Sequence, residues 1–132
     1  MGSLPLSTAQ KVIDAAVFKA EEIGQPMNIA VVDDGGHLVA FVRMDGAIKG
    51  SIDISIRKAR TAVMMNLPTS ALMKVCQPGG ELYGLEQTAG GLVVFGGGIL
   101  LEADGVVIGA VGVSAGSVEQ DVAVAEAGVA AL

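Results

Sequence analysis

The sequence predicts an α+β fold in which helices cover both faces of a five-stranded, mainly antiparallel sheet. Three observations lead there. Two turns, Asp34-Gly35-Gly36 and Asp104-Gly105, each separate a pair of apolar runs, and such residues supply the positive φ angles that tight hairpins need. The run Ile29-Ala30-Val31-Val32 is apolar at consecutive positions, the pattern of a strand covered on both sides. Helical periodicity interrupts the strands, giving the order helix, two strands, two helices, three strands, helix.

The first helix is expected over residues 8–23. Ser7 and Gln10 have the spacing of a capping box, and Val12, Ala16, Ala20 and Ile23 share a face. Gly24 and Pro26 then stop it. Met27–Asp33 and His37–Arg43 form the first hairpin. Ser51–Met65 reads as a helix with Ile52, Ile56, Ala59 and Val63 on one side. Asp53 lies in its first turn, where it suits the helix dipole, four residues before Arg57. Thr69 caps a short helix reaching Val75, which Gln77-Pro78-Gly79-Gly80 ends. Residues 81–91 read as loop and Leu92–Phe95 as a short strand.

Ile99–Ala103 and Val106–Val113 make the second hairpin. A last helix starts at a second capping box, Ser117 with Gln120, and carries Val118, Val122, Ala125, Val129 and Leu132 on one stripe. No linker, repeat or low-complexity tail divides residues 1–132, so one domain is expected. Gly96, Gly97, Gly98, Gly109, Gly112 and Gly116 surround this second hairpin. Backbone without β-carbons can approach a ligand closely, which makes this wall a candidate part of a binding site.

Composition excludes several function classes. The chain is 52% hydrophobic with a mean hydropathy of +0.61, yet no apolar run approaches the ~20 residues of a membrane-spanning helix. A net charge of −6, without a basic stripe and with 3% aromatics, removes the usual means of gripping nucleic acid or an anionic membrane. One cysteine, Cys76, permits no internal disulfide. Met1 to Leu6 contains neither a signal-peptide pattern nor a myristoylation pattern, which predicts the cytoplasm, or secretion where a leader has been removed.

Candidate chemistry is sparse. Gly112-Val113-Ser114-Ala115-Gly116 matches G-x-S-x-G between a strand and a helix, but no histidine follows Ser114, so a hydrolase triad is not expected and no catalytic residue is assigned. One histidine and one cysteine rule out the usual zinc sets. A single axial ligand to haem iron needs only one histidine, and His37 stands on the shoulder of the first hairpin beside Asp33 and Asp34. The alternative for His37 is a solvated turn residue. Cys76, Tyr83 and the six methionines are further iron-ligand types. No dinucleotide or triphosphate cradle occurs. Arg43-Met44-Asp45 and Arg57-Lys58-Ala59-Arg60 could receive a carboxylate through bidentate contacts, or form a solvated helix face or subunit salt bridges.

Several segments resemble the HbpS/GlcG-like family, which includes haem-binding proteins, glycolate-operon proteins and the C-terminal domain of PduO-type cobalamin adenosyltransferases. They are Val31–Val39, Arg43-Met44-Asp45, Ser51–Ser55, Lys58–Ala62, Phe95–Gly98, Ile108–Ser114 and Glu119-Gln120-Asp121, in order along nearly the whole chain. Leu100 departs from the proline that many members carry there. The resemblance implies a profilin-like fold of α/β/α layers, assembly into tetramers or octamers, and haem binding. It carries over Arg43, Asp45, Asp53, Lys58 and Gln120 as motif positions.

The expectation is therefore a non-enzymatic, oligomeric small-molecule-binding protein that takes haem or a related tetrapyrrole and no other cofactor, with neither nucleic acid nor membrane as partner. His37, Arg43, Asp45, Lys58, Tyr83, Gly96, Gly97 and Gly98 are its candidate ligand-binding residues, and His37 is the candidate iron ligand. Two alternatives are an enzyme or accessory subunit in glycolate, diol or corrinoid metabolism, and a structural assembly unit without ligand.

Overall fold

The computed structural model describes residues 4–132; Met1, Gly2 and Ser3, on which part of the N-terminal reading falls, lie outside the described residues. The elements are α1 (Leu6–Glu22), β1 (Asn28–Asp33), β2 (Leu38–Arg43), α2 (Ser51–Met65), a 3-10 turn at Thr69–Leu72 running into the one-turn α3 (Met73–Cys76), a 3-10 turn at Leu85–Gln87, β3 (Gly98–Ala103), β4 (Val106–Ser114) and α4 (Val118–Val129).

The sheet has four strands among the described residues, not five, in the antiparallel order β2-β1-β4-β3. The expected strand at Leu92–Phe95 is absent. Its side chains Leu92 and Val93 are buried, but the Val93 amide donates to Thr61 Oγ1 at 3.0 Å and the Leu92 amide to the Glu86 carbonyl at 2.9 Å. The segment is pinned to α2 instead of joining the sheet.

Both turns form as expected. Asp104 and Gly105 adopt φ of 53° and 77°, the two positive angles of a type I′ turn. Strand alternation then sorts residues to two faces. Ile29, Val31, Val111, Val113 and Leu101 point into the larger core with α1 and α4, while Val32 and Ala110 pack with Ala59 and Ala62 of α2. The sheet is thus the middle of three layers, as the unbroken apolar run in β1 implies.

α2 approaches the sheet closely, and two glycines permit it. A β-carbon at Gly112 would collide with the Ser55 carbonyl and the Ala59 amide, and one at Gly98 with the Lys58 carbonyl. That proximity overturns the expected α2 face. The buried residues are Ser51, Ser55, Lys58, Ala59, Thr61 and Ala62, while Ile52, Ile56 and Val63 are half-buried. α4 is rotated likewise, burying Asp121, Val124, Ala125 and Gly128 rather than a purely apolar stripe.

The capping boxes differ. In α4 the Ser117 hydroxyl accepts from the Gln120 amide at 3.1 Å and Gln120 Oε1 from the Ser117 amide at 2.9 Å. In α1 the box does not form. The helix starts earlier, and the Pro5 carbonyl accepts from both Thr8 and Ala9 at 3.1 Å. Thr69 caps no helix either; its hydroxyl accepts from the Gly98 amide at 2.9 Å and so covers the outer edge of β3.

Candidate functional site

The β1–β2 turn brings its histidine against Asp33. Asp33 Oδ1 accepts from the Gly35 amide at 2.9 Å and the His37 amide at 2.9 Å, and lies 3.3 Å from His37 Nδ1. The bond from the His37 amide is the largest of the effects that hold the Asp33 carboxyl below its ordinary range. Gly35 makes room for the ring. A β-carbon there would stand 2.9 Å from both Cε1 and Nδ1 of His37, and Gly35 has no positive φ that would itself forbid a side chain. The His37 side chain is 82% exposed. A neutral imidazole that donates from Nδ1 to Asp33 would leave Nε2 as the nitrogen free to accept a metal.

Arg60 runs from this turn to a distant loop. The position of a β-carbon on Gly36 is 3.4 Å from Arg60 Cγ, and the Arg60 guanidinium donates to the Ala89 and Gly91 carbonyls, the latter at 3.3 Å. One turn earlier on α2, Arg57 Nε donates to Asp53 Oδ2 at 2.8 Å. Its Nη1 donates to the carbonyls of Gly90 at 2.8 Å and Gly91 at 3.2 Å. The Asp53–Arg57 pair follows from four-residue spacing. The loop contacts, some 30 positions away, carry no local signal, although Arg57 and Arg60 stand out in an acidic sequence.

Lys58 faces the other way. It is fully buried, donating to Asp121 Oδ2 at 2.8 Å and to the Val113 carbonyl at 2.9 Å, with the Phe95 ring centroid 5.0 Å from Nζ. Burial lowers the Lys58 pKa and raises that of Asp121, since a desolvated charge is costly, and the pairing opposes both shifts. Asp121 Oδ1 also accepts from the Gly116 amide at 3.0 Å. The ammonium expected to meet a ligand carboxylate is committed to an internal one.

The glycine wall is occupied by the same packing. Gly96 lies against Val118 and Val122, Gly97 against Lys58 Nζ, and Gly98 against the backbone of α2. All three are buried. Their missing β-carbons admit protein atoms within the protomer.

Arg43 and Asp45 line a shallow depression of about 370 Å³ with Met44, Gly46, Ala47 and Lys49. Beneath this loop Asn28 is buried, donating from Nδ2 to the Ile48 carbonyl at 3.0 Å, and its Oδ1 has no partner among the described residues. Tyr83 is 66% exposed on the loop after α3. Cys76 is buried, which raises its thiol pKa. No group of three or more His, Cys, Asp or Glu converges on a metal-sized space among the described residues. A single axial contact to a metal held by its own macrocycle needs no such cluster, and one exposed imidazole is compatible with it. No helix among these residues is long and apolar enough to cross a membrane.

Comparison with known proteins converges on one group. Residues 4–130 match the model of the family described as "Haem degrading protein HbpS-like". The chain is similar to the corrinoid adenosyltransferase PduO of Citrobacter freundii, 42% identical over 131 residues, covering 98% of this chain and 39% of that protein. The chain therefore spans about two-fifths of that relative's length. Among solved structures it is similar to one described as a PduOC:heme complex, with TM-score 0.92, 40% identity and coverage of 98% of this chain and 94% of the other. It is also similar to that of HbpS, with TM-score 0.90, 36% identity and coverage of 100% and 92%.

Proposed function

The chain belongs to the HbpS-like family, and from that premise we propose that it is an oligomeric haem-binding protein with His37 Nε2 as the axial iron ligand. The observation that carries the reading is the Asp33–Gly35–His37 turn. A carboxylate orients the imidazole, a glycine clears space for the ring, and the opposite nitrogen is presented to solvent. The solved haem complex of the PduO relative adds to it, because its chain is similar to this one over nearly its whole length.

Haem, when bound, supplies a redox-active iron and a visible chromophore. The protein's own residues bind and orient it. Asp33 fixes the ring of His37, and Leu38, the next residue, offers an exposed apolar side chain beside it. His37 is largely exposed on one protomer, so a second copy encloses the macrocycle in this reading.

Titration with haemin tests the proposal: a saturable, shifted Soret band is expected at micromolar protein, and its absence overturns the haem reading. A second reading, accessory binding in corrinoid metabolism, is favoured by the likeness to PduO. Tight binding of a cobalamin in preference to haemin would support that reading instead.

A further inference from the structure

We propose that Arg57 and Arg60 form a carboxylate receptor, held ready by the carbonyls of Ala89, Gly90 and Gly91, beside the turn that presents His37. The two guanidiniums stand one turn apart on α2 and converge on three consecutive backbone carbonyls. Asp53 is the carboxylate on Arg57, and Arg60 pairs with none among the described residues. In a chain of net charge −6, the Arg60 fork is thus spent on neutral acceptors.

A carboxylate is a better acceptor for these forks than the carbonyls, because it adds a full opposite charge and two oxygens in bidentate geometry. The carbonyls also sit on a loop that α2 must hold in shape, because Ala89, Gly90 and Gly91 all have positive φ (52°, 79° and 104°). A ligand carboxylate entering between the forks would replace the carbonyls and release residues 89–91. Arg60 also packs its side chain against Gly36, next to His37, so iron ligation and carboxylate recognition fall on adjoining surfaces.

The chemical class is a small molecule bearing one or two carboxylates. Its identity as a haem propionate rests on the haem reading, while the receptor itself does not. Wild-type protein is titrated with metal-free protoporphyrin IX and with its dimethyl ester, followed by porphyrin fluorescence. In parallel, glutarate is titrated while the Nε–H resonances of Arg57 and Arg60 and the amides of Gly90 and Gly91 are recorded.

The free acid is expected to bind about tenfold or more tighter than the ester, the scale of a hydrogen bond to a charged group. Arg60→Gln should remove that difference and His37→Ala should leave it. Equal binding of acid and ester, or a difference that survives in Arg60→Gln, overturns the proposal. Should neither porphyrin bind, the haem reading has failed separately and glutarate decides. Shifted Nε–H and glycine amide resonances sustain the receptor, and unmoved ones show that the arginines serve only to hold the loop.

Discussion

Lys58 and Asp121 meet at 2.8 Å in the interior, with side chains 0% and 3% exposed. They join the middle of α2 to the first turn of α4, and the Lys58 bond to the Val113 carbonyl ties both to the end of β4. Breaking either charge leaves the other buried and unpaired. Lys58→Met and Asp121→Asn should therefore each destabilise by about 3–5 kcal/mol in urea denaturation. The double variant Lys58→Met/Asp121→Asn should lose clearly less than the sum, because no orphan ion remains. Additive losses would show that the pair is not coupled.

Contact between α2 and the sheet should tolerate no extra carbon. Gly112→Ala places a methyl group in the backbone of α2 at Ser55 and Ala59. A loss of about 1–3 kcal/mol or more is expected by calorimetry, because a helix backbone yields less readily than a side chain. Gly105→Ala, in the open Asp104-Gly105 turn, meets no atom but has a φ of 77°; it should cost only the backbone strain, about 1 kcal/mol.

Proline should be accepted at Leu100 and refused at Ile99. The Val113 amide donates to the Gly97 carbonyl at 2.9 Å, so by alternation Ile99 exchanges bonds with Val111 while the Leu100 amide faces the free edge of β3. The Gly98 amide, two residues before Leu100, points outward to Thr69 in the same way. Leu100→Pro should stay within about 1 kcal/mol of wild type, and Ile99→Pro should lose about 3 kcal/mol or more. The reverse order would refute the register. This also explains how Leu100 can replace a proline without disturbing the edge.

The His37 turn should open in acid. Asp33 has a folded-state pKa below its ordinary 3.8, chiefly because the His37 amide hydrogen-bonds its carboxylate. A depressed carboxyl pKa gives stability that is present above the ordinary value and lost as pH falls through the folded one. The Gly35 and His37 amide resonances should accordingly titrate together with a midpoint below 3.8. A midpoint at or above 3.8 would mean that the carboxylate does not hold the turn.

Gly35→Ala isolates the ring's orientation from folding. The added methyl group meets the imidazole of His37 and one carboxylate oxygen, at 2.9 and 3.4 Å, and no backbone strain is introduced. Thermal stability should change little, while haemin affinity falls about tenfold as the ring leaves Asp33. Unchanged affinity would separate the turn's geometry from ligand binding.

Sequence alone reaches the local parts of this structure. The Asp/Gly turns, the Ser117–Gln120 box and the Asp53–Arg57 pair are contacts within four residues, and all three form, although the equally local Ser7–Gln10 box fails because α1 starts earlier, after Pro5. What stays hidden is decided by distant partners. The buried face of α2 is small and polar because Gly98 and Gly112, far along the chain, let its backbone descend onto the sheet. Periodicity of large apolar residues instead marks Ile52, Ile56 and Val63. Leu92–Phe95 has the composition of a strand, but the Thr61 hydroxyl takes the Val93 amide. The site divides along the same line. Asp33 and His37 are near neighbours in sequence, whereas Arg60 and the carbonyls of residues 89–91 are joined only by the fold.

The most direct test of the central claim uses the fact that the chain has one histidine. Protein grown with ¹⁵N-labelled histidine is loaded with ferric haem and examined by pulsed electron paramagnetic resonance. Strong coupling of the iron to one imidazole ¹⁵N is expected, lost in His37→Ala, because no other residue carries the label. A haem complex without ¹⁵N coupling would contradict His37 ligation, and no haem complex at all would contradict the proposed function.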